Sequence, residues 1–190
     1  MAFVANISNE DVAALEAVHF DGRIEVVETV GALAEACKDL AKHKIIGFDT
    51  ETRPSFTAGV TNKVSLLQLS TEKCCYLIRL NKLALSREVL AILSSKDILK
   101  IGADVRNDIS ALNKLRHFTP EGFIDLQSEV GKYGIEDKSL RKISGIVLGK
   151  RVSKAQRLSN WAAKQLTPQQ QMYAATDAWV CIEIYKHLTK

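Results

Sequence analysis

What the sequence lacks narrows its class before any motif is considered. No stretch approaches the ~18 consecutive apolar residues that a membrane span requires. The opening residues, MAFVANISNEDVAALEAV, have no basic start followed by a long apolar run, so no secretory signal peptide is expected. The four cysteines, Cys37, Cys74, Cys75 and Cys181, have no zinc-site spacing, and the adjacent Cys74–Cys75 pair makes a poor disulfide framework. Four reduced, mostly buried thiols in a cytoplasmic protein are expected, with a redox or metal role for them the minority reading. Internal repeats, low-complexity tracts and Pro/Gly/Ser-rich linkers are missing as well. The 190 residues are therefore expected to form one domain, 1–190, with 1–22 as an N-terminal helical extension. Charge of one sign is also scarce. The net charge of +4 permits a polyanionic partner without implying one.

What is there is a globular pattern, 46% hydrophobic and 25% charged. Ser8 opens a short helix, RIEVVE from Arg23 reads as a strand, and Leu33, Ala34, Cys37, Leu40 and Ala41 fall at helical spacing within 30–42. KVSLLQLS (63–70) and KCCYLIRL (73–80) are separated by a very short turn and predict an antiparallel hairpin. Helix and strand then alternate: helix near 86–94, strand 97–102, helix 104–116, strand near 122–126, then helices to the end. A hairpin early and βα units later predict an α/β fold, a mixed sheet with helices on both faces.

The stretch FDTET, residues 48–52, departs from ordinary core chemistry. Lys44 to Phe48 is mostly apolar on both parities, which predicts a strand buried on both faces. Asp49 and Glu51 share a parity and so point the same way. Two more acids interrupt apolar stripes. Thr167-Pro168-Gln169-Gln170 predicts a capped helix start. From there Tyr173, Asp177, Val180, Cys181, Ile184 and Leu188 fall on one face. In the helix after residue 104, Asp108 shares a face with Val105, Ile109, Leu112 and Leu115, while Asp104 is expected to serve as its N-cap.

An ionised carboxylate in a core costs several kcal/mol unless it is paired or bound to a metal. Each acid on its own is accounted for by a private Lys or Arg partner. For all four together that account is weak, because no Lys or Arg lies on those faces one turn away; Arg116 is at the rim and Lys44 precedes the strand. Hard oxygen donors without His or Cys suit Mg²⁺ or Mn²⁺. Four such acids are enough to hold two ions about 3.5–4 Å apart, an arrangement suited to phosphodiester cleavage.

The pattern of Asp49-x-Glu51 on a strand, Asp108 on a later helix and Tyr173-x-x-x-Asp177 on the last helix resembles the DEDDy 3′–5′ exonucleases. KVSLLQLS, FIDLQ with Asp125, and RLSNW followed by LTPQQQMYAATDAW resemble ribonuclease D and the exonuclease domain of Werner-type helicases, from about residue 24 onward. The resemblance implies a ribonuclease-H-like fold with a five-stranded mixed sheet. It implies a metal-dependent exonuclease that removes nucleotides from a 3′ end as 5′-monophosphates. Asp49 would bridge two Mg²⁺ or Mn²⁺ ions, and Glu51 and Asp177 would complete the site of the attacking water. Asp108 would serve the second ion, and Tyr173 would orient the water.

The partner implied is nucleic acid, with DNA favoured by the Werner-like wording. The rival readings are ribonuclease-D-like trimming of RNA and a non-catalytic nucleic-acid-binding module on the same fold. The sequence shows neither a helicase module nor the C-terminal helical domain of ribonuclease D, so affinity is expected to come from the domain surface, an oligomer or a partner. Arg53, Lys154 and Arg157 are candidates for phosphate contacts, against an ordinary solvated role. Trp161 and Trp179 are candidates for stacking on bases, against a role in the core.

Overall fold

The computed structural model describes residues 2–190. Six strands form one mixed sheet: β1 (Arg23–Val27), β2 (Ile45–Thr52), β3 (Val64–Ser70), β4 (Cys74–Arg79), β5 (Leu99–Gly102) and β6 (Phe123–Asp125), in the spatial order β1-β4-β3-β2-β5-β6. The count is six rather than the five that the resemblance implied, because all six stretches that read as strands join one sheet. β1 pairs parallel with β4, and β6 pairs parallel with β5. Both pairings are made by tertiary contact, which a local pattern does not report. β3 is antiparallel to both β2 and β4, and β2 runs parallel to β5. Every residue of β3 and β4 is buried, as apolar residues on both parities of a central strand require.

Helices cover both faces. On one side lie α2 (Val30–Leu40), α3 (Arg87–Leu93) and α4 (Val105–Asn113), which pack on Phe48, Leu67, Leu69, Tyr76 and Ile78. On the other lie α6 (Leu140–Leu148) and the long α7 (Pro168–Leu188), which cover Leu66, Cys75, Leu77 and Ile101. Two short helices, α1 (Asn9–Ala14) and α5 (Leu126–Glu129), complete the set, with a 3₁₀ turn at Val130–Tyr133. Hydroxyl side chains start several of these helices: Ser8, Thr29, Ser86, Ser139 and Thr167 each accept a backbone N–H of the first turn. At α7 the expected capping box is complete, with Gln170 reaching back to the Thr167 N–H at 2.9 Å.

Among the described residues, no helix is long and apolar enough to cross a membrane. All four cysteines are free and buried.

One contact sets the position of everything that follows. A Cβ added at Gly47 would lie 2.0 Å from the carbonyl oxygen of Ala178. Glycine at 47 therefore lets α7 lie directly on β2, with Asp177 beside Ala178 and Asp49 two residues on from Gly47.

Candidate active site

Asp49 and Glu51 project from one face of β2, and Asp177 descends on them from α7. Each offers a carboxylate oxygen, and the three atoms lie within 4.8 Å of one another. A register irregularity between Glu51 and Thr52 ends the regular pairing of β2 with β3 at this point. The acids line a cleft of about 340 Å³ together with Thr50, Asp104, Asp108, Gln127, Arg157, Tyr173 and Cys181.

Asp108 lines the same cleft but stands outside the group of three. Its Oδ1 accepts a 2.6 Å hydrogen bond from Thr50 Oγ1, a residue of the opposite parity to Asp49 and Glu51. The four acids therefore divide as three plus one. Among the described residues, none of the four makes an ion pair with Lys or Arg. Arg116, at the rim in the sequence reading, donates instead to the Leu85 carbonyl at 2.7 Å.

The electrostatic consequence is a cluster that resists ionisation. Burial, then the charge of Asp177, lifts Asp49 well above the usual carboxylate range. Burial, with Asp49, Asp177 and Asp108 adding to it, pushes Glu51 up to about 10. Asp108 rises to about 8 through burial and the charge of Asp49, against the opposing Thr50 hydrogen bond. Asp177 rises to about 7 by burial, restrained by a hydrogen bond from Tyr173. The Tyr173 phenol is raised by burial, then by the charges of Asp177, Glu51 and Asp49, so it keeps its proton as a donor. Crowded oxygen ligands with no Lys or Arg ion-paired to them and no soft donor among the three suit a hard divalent cation. The residues present thus fit Mg²⁺ or Mn²⁺.

Two side chains to which the sequence reading gave no role, Gln68 and the Asp125 of FIDLQ, hold the cluster. Gln68 of β3 pairs in register with Asp49, and its Nε2 donates to Asp49 Oδ2 at 3.3 Å. The signal for it was a lone long polar side chain in KVSLLQLS. Asp125 is the second. Its carboxylate accepts the N–H groups of Asp104 at 3.2 Å and Val105 at 3.1 Å, and that of Gln127 at 2.9 Å. Asp125 therefore caps α4, the helix that carries Asp108. The expected cap, Asp104, occupies the N-cap position but makes no side-chain cap bond. Its backbone is left-handed at φ 62°, and its carboxylate oxygens accept from Asn107 Nδ2 at 2.8 and 2.9 Å. Asp104 thus bonds a side chain of the first turn and leaves the backbone N–H groups there to Asp125.

The basic candidates separate. Arg157 lines the acid cleft. Arg53 lines a neighbouring hollow with Asn62, Lys63 and Asn81. Lys154 is exposed on the basic segment. Trp161 is fully buried, with its ring 5.9 Å from that of Tyr173, so it backs the tyrosine and offers no stacking surface for a base. Trp179 is half-buried and packs on Phe20, 5.7 Å between ring centres.

Comparison with known proteins identifies the family. A family model described as a 3′–5′ exonuclease matches residues 24–190. The Mus musculus bifunctional 3′–5′ exonuclease/ATP-dependent helicase WRN is 31% identical over 156 residues, 78% of this chain and 11% of that protein. The Homo sapiens exonuclease mut-7 homolog is 31% identical over 176 residues, 78% of this chain and 20% of that protein. The crystal structure of the Aedes aegypti Nibbler EXO domain superposes with a TM-score of 0.80 at 27% identity, covering 91% of this chain and 93% of that one. Escherichia coli RNase D shares the ribonuclease-H-like fold, with a TM-score of 0.80 at 24% identity over 88% of this chain and 44% of that one. The chain spans 11% to 30% of the length of the curated relatives it matches first. With the match running from β1 through the helix that carries Tyr173 and Asp177, the chain belongs to the 3′–5′ exonuclease family.

Proposed function

We propose that this chain is a metal-dependent exonuclease that hydrolyses DNA from a free 3′ end and releases nucleoside 5′-monophosphates. The observation that carries the reading is the convergence of Asp49, Glu51 and Asp177 within 4.8 Å, with no cationic side chain paired to them. Asp49, Glu51 and Asp177 would hold one Mg²⁺ or Mn²⁺, and Asp49 with Asp108 a second. Bound there, such ions lower the pKa of water and neutralise charge on the scissile phosphate.

The chain's own residues supply the rest. Tyr173, protonated and braced by Trp161, directs its hydroxyl to the same carboxylates and so can hydrogen-bond and orient the attacking water. Arg157 places a guanidinium in the cleft, where a phosphate oxygen would meet it. Water adds to the phosphorus, the 3′ oxygen of the preceding nucleotide leaves, and that oxygen takes up a proton. Gln68 and Thr50 fix the rotamers of Asp49 and Asp108 before any cation arrives. The choice of DNA rests on motifs that read most like the Werner type.

The test is end-labelled DNA and RNA, single- and double-stranded, incubated with EDTA, Mg²⁺ or Mn²⁺. Stepwise shortening from the 3′ end of DNA, dependent on the cation, is the expected result. Faster shortening of RNA would move the substrate to ribonuclease-D-like trimming. No shortening of any strand would leave a binding module.

A further inference from the structure

One buried charge lies outside the site described above: Arg79, the last residue of β4. Cys75, Leu77 and Arg79 share the face of β4 that α7 covers, and the guanidinium that ends this apolar stripe is 0% exposed. Leu66 stands opposite it on β3. A buried guanidinium is destabilising unless its N–H groups find partners, and apolar residues of similar volume commonly serve a fold as well or better. Stability alone therefore does not account for arginine at this position.

Its three nitrogens are all committed. Nε donates to Asn81 Oδ1 at 3.3 Å, Nη1 to Glu28 Oε1 at 3.2 Å, and Nη2 to the carbonyl of Ala163. The carbonyls on either side of Ala163 are held from the same turn. Asn81 Nδ2 donates to Ala162 at 3.3 Å, and Lys82 Nζ donates to Lys164 at 2.9 Å. Glu28 Oε1 also accepts from Lys82 Nζ at 2.7 Å, so one carboxylate gathers both cations. Three consecutive carbonyls, 162 to 164, are thus gripped by side chains from residues 79 to 82.

Trp161 immediately precedes the gripped stretch. It is fully buried, and among the described residues its Nε1 has no hydrogen-bond partner. No polar contact of its own orients the indole, so packing and the backbone on either side fix it. On one side the Asn160 carbonyl accepts from Gln170 Nε2 at 3.3 Å, which ties the chain to the start of α7. On the other side the tie is the grip on carbonyls 162 to 164. The indole lies 5.9 Å from the Tyr173 ring, centre to centre, and the Tyr173 hydroxyl bonds to Asp177. A short chain of contacts therefore joins the end of β4 to the phenol at the acid cleft.

We infer that Arg79 is a positioning residue for hydrolysis: with Asn81 and Lys82 it clamps carbonyls 162 to 164 and so fixes Trp161, which holds the Tyr173 ring at the angle that keeps its hydroxyl on the acids. The inference rests on the exonuclease reading above and on the role given there to Tyr173. Arg79 does not line the acid cleft and acts only through Trp161. The guanidinium does here what an apolar side chain cannot, since only a donor pins a backbone carbonyl.

The experiment is a double-mutant cycle against Tyr173. Arg79→Met removes the guanidinium and keeps the bulk. The pair Asn81→Ala/Lys82→Met, at two exposed positions, releases the other two carbonyls, and it decides alone should the buried substitution not fold. Each is made in the wild type and in Tyr173→Phe, and kcat and KM are measured on an end-labelled single strand at saturating Mn²⁺. Each should lower kcat on the order of tenfold, as a small misplacement of a catalytic group does. KM and the Mn²⁺-dependent shift in melting temperature should stay at their wild-type values. In Tyr173→Phe the same changes should cost nothing further. Equal losses in the two backgrounds, or an unchanged kcat in the clamp variants that fold, overturn the inference while the nuclease reading stands. Amide hydrogen exchange over residues 161–166 is followed in parallel and should quicken in both variants. If the wild type cuts no strand, the nuclease reading fails and exchange alone decides the clamp: faster exchange upholds it and unchanged exchange refutes it.

Discussion

Gln68 lies directly across the β2–β3 ladder from Asp49, and its Nε2 donates to Asp49 Oδ2 at 3.3 Å while its Oε1, fully buried, has no partner. An orphaned buried carbonyl costs about 1–3 kcal/mol. A methionine at 68 would fill the same space without that cost. The arrangement thus holds Asp49 in place at the expense of the fold. Gln68→Met should melt no lower than the wild type in EDTA, yet bind Mn²⁺ roughly 10- to 100-fold more weakly, the usual effect of losing a ligand's hydrogen-bond partner. Paired thermal melts in EDTA and across a Mn²⁺ titration check both halves. A drop of several degrees in EDTA would make Gln68 a plain packing residue.

Asp49→Asn keeps the shape of the side chain at the most crowded point of the cleft and removes its tendency to ionise. Its metal-free melting temperature should rise, because burial, then the charge of Asp177, opposes the ionisation of Asp49 that the unfolded chain allows, and Asn carries no such cost. Mn²⁺ at a hundredfold excess over its Kd should stabilise the wild type by roughly 2.7 kcal/mol and the variant far less. Nuclease activity should vanish. A lower melting temperature for the metal-free variant would show that Asp49 is held by the protein and not by the cation.

Tyr173→Phe deletes one hydroxyl and leaves the ring against Trp161. Turnover should fall on the order of 10²-fold, about 2.7 kcal/mol of transition-state stabilisation. The Mn²⁺-dependent shift in melting temperature should stay close to that of the wild type. Single-turnover rates at saturating Mn²⁺ separate the two effects, and wild-type turnover in the variant would assign Tyr173 to the core.

Stability should fall with rising pH in the metal-free protein and stay nearly level with saturating cation. Asp177, Asp108 and Glu51 have folded pKa values raised to about 7, about 8 and about 10. Above ~4, where unfolded carboxylates lose their protons, the native state holds more protons than the unfolded chain, so stability falls as pH rises. The loss for each group is complete once pH passes its folded value. Cation binding must displace those protons, so stabilisation by Mn²⁺ should grow with pH over the same window. Thermal melts in EDTA and in Mn²⁺ between about pH 5.5 and pH 8.5 read both slopes; parallel slopes would contradict the proton-holding cluster.

The site was legible where periodicity governs and obscure where it does not. Asp49 and Glu51 follow from the two-residue repeat of a strand, and Tyr173 and Asp177 from the 3.6-residue repeat of a capped helix. Asp108 was placed correctly on an inward stripe, but its separation from the other three was not visible. The start of α4 was equally hidden: Asp104 takes a left-handed backbone and Asp125 supplies the cap from β6. A cap delivered from 20 residues away leaves no local pattern. Gln68 was hidden for a similar reason, since only the register of β2 against β3 shows which residue stands opposite Asp49.

The bare glycine face of β2 also has a meaning in time. A ribosome delivers Asp49 and Glu51 early and Asp177 only after more than a hundred further residues, roughly ten seconds later at ordinary rates of synthesis. Until α7 emerges, the Gly47 face of β2 lacks the helix that lies on it, and the acids of β2 lack Asp177. On the proposed function, a nascent chain on a polysome, surrounded by messenger and ribosomal RNA, carries no assembled cutting centre. A fragment released before Asp177 is then expected to leave nucleic acid uncut, whatever else of the sheet has formed.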